Sequence, residues 1–221
     1  MSGRGPHLTK DDMLLKPYYE TELGKLYHGD CLEILPHLEP VDLVLTDPNY
    51  GIGINKSHRL SVSRGFGDET WDEKPASKER IQLCLSISKN QIIWGGNYFA
   101  LPRTRGFIIW DKNNYERDFA DCEYAWTSFD KVARIYKKRP MNMDGGKVHP
   151  TQKPVELMIY CLNDYAEKPN CVTDPFFGSG TTAIACERLG IRWAGIEISE
   201  KTCAIAKQRI ENERKQRKLF T

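Results

Sequence analysis

The chain has no apolar run long enough to cross a bilayer, no Cys-x-x-Cys pair, no internal repeat and no low-complexity tract. A membrane-spanning helix needs about 20 consecutive apolar residues, so no membrane role is expected. The missing Cys-x-x-Cys spacing removes the usual sign of a zinc site or thiol redox centre. The cysteines number seven, an odd and scattered set that does not suit a disulfide framework. Cys84, Cys161 and Cys186 sit among apolar neighbours and read as small core residues in a reducing compartment. The polar stretch from Met1 to Asp12 has no apolar segment of a secretion signal, so a cytoplasmic location is expected. A large excess of one charge is also missing. The formal net charge is +2, and a polyanion would have to be recognised by local clusters.

What is present suits one globular domain. Of 221 residues, 40% are hydrophobic and 28% charged, enough to bury a real core. Residues 1–24 show no clear period and read as a lead-in. Strands are expected at 25–28, 41–46, 91–94, 106–110, 171–174 and 191–198. Cys122 to Ser128 and Val132 to Tyr136 alternate as an antiparallel edge pair would. Helices are expected at Cys31 to Leu38, Ser77 to about Lys89, Pro154 to about Ala166, Thr181 to Leu189, and Lys201 to about Lys215. Strands alternating with helices predict an open α/β sheet. Two long polar stretches, 51–76 and 137–150, interrupt it, and long loops in compact domains are commonly functional.

Two short blocks follow apolar strands, where a parallel sheet delivers side chains to a ligand. In the first, Asp47-Pro48-Asn49-Tyr50, Asp47 offers a carboxylate, Pro48 a rigid turn with a free carbonyl, and Tyr50 a ring for a flat ligand. Two acceptors gripping the hydrogens of an aromatic amine would favour a tetrahedral nitrogen and turn its lone pair towards an electrophile. Asp47, with a reference pKa of about 3.9, is too weak a base to deprotonate that amine first. Orientation and charge stabilisation are its expected contributions.

The second block is Asp174-Pro175-Phe176-Phe177-Gly178-Ser179-Gly180. Its glycines permit a tight turn and close approach of a ligand. Glu197 ends the next strand, 19 residues after Gly178, where a carboxylate meets ribose hydroxyls. Ala183 stands where a pyrophosphate-binding fingerprint has its third glycine, and Asp174 repels phosphate but suits a cationic tail. Phe176 or Phe177 is a candidate to press against the ligand, and either could equally be core. Arg134, Lys137, Lys138, Arg139, Lys147 and His149 form one basic cluster, and Lys56, His58, Arg59 and Arg64 another. Their places beside the proposed site favour a polyanion.

These blocks resemble those of the amino-group DNA methyltransferases that use S-adenosylmethionine, in the β arrangement, where the catalytic block precedes the cofactor block. Asp47 to Tyr50 matches the family's Asp-Pro-Pro-Tyr except at Asn49, and Asp174 to Gly180 its cofactor turn. His149-Pro150-Thr151-Gln152-Lys153-Pro154 resembles the segment before the helix that covers the methionine end of the cofactor. His28-Gly29-Asp30-Cys31 resembles the strand end near the cofactor's adenine. The resemblance runs from about residue 25 to 212.

It implies a Rossmann-like methyltransferase fold, circularly permuted, with a mostly parallel seven-stranded sheet and one antiparallel strand. Residues 25–28 would supply the strand beside Glu197. It implies methyl transfer to N6 of adenine in double-stranded DNA. Asp47, Pro48, Asn49 and Tyr50 would be catalytic, with no metal. Asp30, Lys153, Asp174, Pro175, Phe176, Gly178, Ser179, Gly180, Thr181 and Glu197 would hold S-adenosylmethionine. DNA contacts are expected from Lys56, Arg59, Arg64, Arg134, Lys137, Lys138, Arg139, Lys147 and His149, in a prokaryotic or phage-infected cell and close to its nucleoid. Little beyond 111–148 is available for target recognition, which suggests a short site, help from 51–76, or a homodimer. Cytosine N4, RNA or a protein glutamine as acceptor, and a DNA-binding relative without chemistry, remain open.

Overall fold

The computed structural model describes residues 15–52, 74–113, 120–140 and 152–218. They form one sheet of nine strands: β1 (Tyr19–Glu20), β2 (Gly24–His28), β3 (Val41–Thr46), β4 (Ser88–Trp94), β5 (Phe107–Asp111), β6 (Cys122–Thr127), β7 (Arg134–Lys137), β8 (Cys171–Asp174) and β9 (Arg192–Glu197). Their spatial order is β1-β2-β9-β8-β3-β4-β6-β5-β7. From β2 through β4 every neighbouring pair is parallel. β6 runs opposite to both β4 and β5.

β3 shows how the sequence dictates the layers. Leu43, Val44 and Leu45 are all fully buried, as expected of a parallel strand covered on both faces. Successive side chains point to opposite faces. Val44 therefore packs with Cys31 and Ile34 of α1 (Cys31–Ile34) and Cys84 of α2 (Lys78–Ser86). Leu43 and Leu45 join the larger cluster. That cluster contains residues of α3 (Val155–Tyr160), α4 (Thr181–Leu189) and α5 (Glu200–Lys218).

β2 pairs in register with β9, His28 opposite Glu197. A strand near the amino end thus lies beside one near the carboxyl end, as the permuted order requires. The strand count differs from seven. Seven strands, β2 through β9 without β7, contain one reversed member, β6. β1 and β7 are additions at the two edges. Tyr19–Glu20, expected in the lead-in, pairs antiparallel with β2. The expected antiparallel pairing of 122–128 with 132–136 is corrected. β7 lies parallel to β5 instead, because β5 already occupies the free edge of β6. α2 stops at Ser86 and β4 begins at Ser88, where the Gln91 side-chain amide donates to the Leu85 and Ser88 carbonyls at 3.2 and 2.8 Å.

Candidate active site

All parallel strands of this sheet end on one rim, where ligands of open α/β sheets bind. Because β6 is reversed, its first residues reach that same rim. The result is a cavity of about 700 Å³, within the range of small-molecule sites. Asp30, Asp47, Lys153, Asp174, Phe176 and Glu197 all line it. Both sequence blocks therefore face one crevice.

At the end of β3 the Asp47 carboxylate accepts from the Tyr50 hydroxyl at Oδ1. Its Oδ2 lies 2.5 Å from Lys153 Nζ. Lys153 is 5% exposed and also lies 3.0 Å from Glu123 Oε2. It donates to the Tyr50 hydroxyl at 3.1 Å. Glu123 in turn meets Lys112 at 2.8 Å. Four charges of alternating sign thus run from β3 to the end of β5. Burial pushes the Asp47 carboxyl up, and the Lys153 ammonium opposes that. Burial would also raise Glu123, but Lys153 and Lys112 outweigh it and hold Glu123 at about 2. The two carboxylates overcome the cost of burying Lys153 and push its pKa up. Asn49 donates its amide to the Lys74 carbonyl, so the residue departing from Asp-Pro-Pro-Tyr anchors the loop by a side-chain bond.

Tyr50 stacks on Tyr98, with centroids 4.9 Å apart and planes 13° apart. Gly95, at φ +67°, lies under the Tyr50 ring, and a Cβ there would come within 2.1 Å of Cε1. The Gly95-Gly96-Asn97-Tyr98 turn thus packs against Tyr50.

The second block wraps the end of β8. Asp174 is buried and accepts from Thr46 and Thr182, each at 2.7 Å, and from the Phe176 N–H at 3.2 Å. Burial nevertheless pushes its carboxyl up to about 6. Gly178 and Gly180 take left-handed backbones, at φ +51° and +78°. The Gly178 and Ser199 N–H groups donate to Glu197 at 2.8 and 2.9 Å. Phe176 and Phe177 both line the cavity, and Phe177 also stacks on Trp193 in the core. Pro175, Ser179 and Thr181 line the cavity. Arg209 of α5 donates to Ser179 Oγ at 2.8 Å and to the Ser179 carbonyl, tying the turn down. Asp30 caps α1 through the Leu32 N–H and pairs with Arg80 at 2.5 Å.

Lys153, expected at the cofactor, lines the cavity and also grips the first block. Glu123, Arg80, Trp94 and Arg209 were not anticipated. Glu123 gives no local signal, because only the reversal of β6 carries it to the rim. Arg134 and Lys137 are exposed on β7. Lys138 pairs with Glu156 at 2.8 Å, and Arg139 donates to the Asn113 carbonyl. Lys56, Arg59, Arg64, Lys147 and His149 lie outside the described residues. Among the described residues there is no cluster of His, Cys, Asp or Glu fit to hold a metal, and no helix long and apolar enough to cross a membrane.

Comparison with known proteins gives a consistent answer. A family model described as DNA methylase matches residues 89–208. The chain is 28% identical to the type II methyltransferase M2.DpnII of Streptococcus pneumoniae, covering 91% of this chain and 94% of that protein. It is 27% identical to M2.LlaDCHI of Lactococcus lactis subsp. cremoris, covering 90% and 93%. Among solved structures, it resembles the PvuII cytosine-N4-specific DNA methyltransferase in fold, with a TM-score of 0.61 at 15% identity over 90% of this chain and 93% of that one. The complex of M1.HpyAVI with S-adenosylmethionine gives a TM-score of 0.58 at 24% identity, over 85% and 98%.

Proposed function

This chain belongs to the N6/N4 DNA methylase family, and from that premise we infer that it methylates N6 of adenine at a specific site in double-stranded DNA, with S-adenosylmethionine as donor. One observation carries the reading. The Asp47 carboxylate and the glycine turn at Gly178 line one cavity, so acceptor and donor can meet.

The residues fit that cofactor. The left-handed glycines leave room against the turn. Glu197 presents a carboxylate fixed by two backbone donors, suited to ribose hydroxyls. Trp94 Nε1 is buried without a partner in a side chain that lines the cavity. When bound, the cofactor supplies an electrophilic methyl group. Asp47 and the Pro48 carbonyl would accept the amine hydrogens of a base extruded from the duplex, since chemistry on a base requires its removal from the stack. Tyr50 would support the base's face. Asp47 would then take up the positive charge growing on the nitrogen, in a site partly shielded from water.

Lys137, at the carboxyl end of β7, and Arg134, exposed at its start, would meet phosphates, with the excursion at about 111–148 as the target-recognition segment and a second copy as an optional partner. The test is transfer of labelled methyl from S-adenosylmethionine into duplex DNA, with mass spectrometry of the nucleosides. N6-methyladenine is expected. N4-methylcytosine would overturn the choice of base, and no transfer with normal cofactor binding would overturn the activity.

Asp174 adds a pH dependence. Its carboxyl is held near 6, and a cationic cofactor favours its ionised form. Affinity should be constant above about pH 7 and fall as protons compete below 6. The dissociation constant at pH 5 should be about tenfold weaker than at pH 7, by calorimetric titration. A constant value across that range would detach Asp174 from the cofactor.

A further inference from the structure

We propose that Lys153 and Glu123 are positioning residues that set the charge of the catalytic carboxylate, with Lys153 holding Asp47 ionised and oriented and Glu123 limiting how tightly it does so. This rests on the reading of Asp47 as the amine acceptor.

The geometry singles out the pair. Lys153 is 5% exposed and lies 2.5 Å from Asp47 Oδ2 and 3.0 Å from Glu123 Oε2. It therefore faces two carboxylates with one charge. A carboxylate at a buried strand end tends to take up a proton, and a protonated Asp47 loses the negative charge that supports an amine turning cationic. An ammonium alone would correct this but would also compete with the amine for the same oxygen. Glu123 divides that ammonium between two acceptors. Lys112, 2.8 Å from Glu123, keeps Glu123 ionised so that it can do so.

The groups facing Asp47 come from several elements. Tyr50 donates from its own loop. Lys153 approaches from the segment before α3, and Glu123 from β6. Asp174 at the end of β8 interacts electrostatically with Asp47. Of these, Lys153 contributes a positive charge and Glu123 a negative one, so their removal should have opposite consequences. That opposition separates a charge-setting role from simple packing.

The experiment measures kcat against pH, with cofactor and DNA saturating, for the parent, Lys153→Met, Lys153→Arg and Glu123→Gln. Lys153→Met should move the acid limb up by about one pH unit and lower kcat about tenfold at pH values below the parent's limb, with cofactor affinity within about twofold. Lys153→Arg should restore most of the rate and return the limb. Glu123→Gln should move the limb down. Limbs that stay in place, or move in the same direction, would overturn the proposal. So would loss of cofactor affinity with normal kcat at saturation, which would make Lys153 a cofactor ligand. If Lys153→Met does not fold, Glu123→Gln and Lys153→Arg still decide the sign. Failure of the catalytic reading is separate. It would appear as undiminished turnover in Asp47→Ala, whereas failure here leaves Asp47→Ala inactive and the limbs unmoved.

Discussion

Asp47→Ala is expected to lower methyl transfer about a thousandfold while cofactor affinity stays within about threefold. Removing one preorganised group that meets developing charge costs 10²- to 10³-fold in other enzymes. In the proposed reaction Asp47 would supply such a group at the end of β3, and its neighbours could not replace it, since Tyr50 and Lys153 are both donors towards it. Cofactor affinity should survive because the glycine turn hangs from β8 and Glu197 from β9. The fold should survive too. Asp47 is 30% exposed, and Lys153 retains Glu123, so the loss of stability should be about 1–2 kcal/mol. Asp47→Asn provides a graded control, because its amide oxygen still accepts but carries no charge. Single-turnover methyl transfer, cofactor titration and thermal melting measure the three quantities. Turnover close to the parent in Asp47→Ala would remove this carboxylate from the chemistry.

The second large effect is expected at Gly95. Its backbone lies at φ +67°, and an added Cβ would stand 2.1 Å from Cε1 and 2.5 Å from Cδ1 of Tyr50. The ring has little room to retreat, because Tyr98 stacks on it and its hydroxyl is bonded to Asp47. Gly95→Ala should therefore push Tyr50 away from Asp47 and lower kcat about a hundredfold. It should also destabilise the protein by about 2–4 kcal/mol, from left-handed strain and overpacking together. Gly190→Ala is the internal comparison. Gly190 has nearly the same backbone, φ +70°, with nothing within 4 Å of the added atom. It should lose only about 1–2 kcal/mol and keep its activity. Equal effects at the two positions, in melting and in kcat, would show that the ring contact does not matter.

Much of this architecture was legible in the residues because its signals are local. The apolar run Val41–Thr46 and the turn after Cys171–Asp174 announce buried strands whose ends bear chemistry. Gly190 marks the end of α4 by its own backbone conformation. Pairing between strands is not local. Residues 132–136 alternate as an edge strand should, yet nothing in them says that β5 will be the neighbour. The same applies to the site. Asp47 and Gly178 advertise themselves through their short motifs, whereas Glu123 is an ordinary acid in an ordinary strand. Its meaning arises when a reversed strand, a proline-led segment and the β3 loop converge on one ammonium. Likewise the sequence suggests that either Phe176 or Phe177 meets the ligand. The structure sets both along the cavity, and only packing shows that Phe177 is also wedged against Trp193 and Gly195.

The pairing of β2 with β9 also shapes how the molecule is made. His28 and Ile198, joined by a hydrogen bond, lie 170 residues apart in sequence. During synthesis, residues 24–28 must wait beside an open sheet edge until the partner strand leaves the ribosome. Such long-range closure is slow and exposes unpaired edges in the interval. The short antiparallel strand at Tyr19–Glu20 covers only the far side of β2. Gly29 and Glu197, hydrogen-bonded at the adjoining ends of β2 and β9, meet only when that last strand docks. The nascent chain thus gains its donor pocket in the final stage of folding, after the acceptor loop on β3 has long emerged.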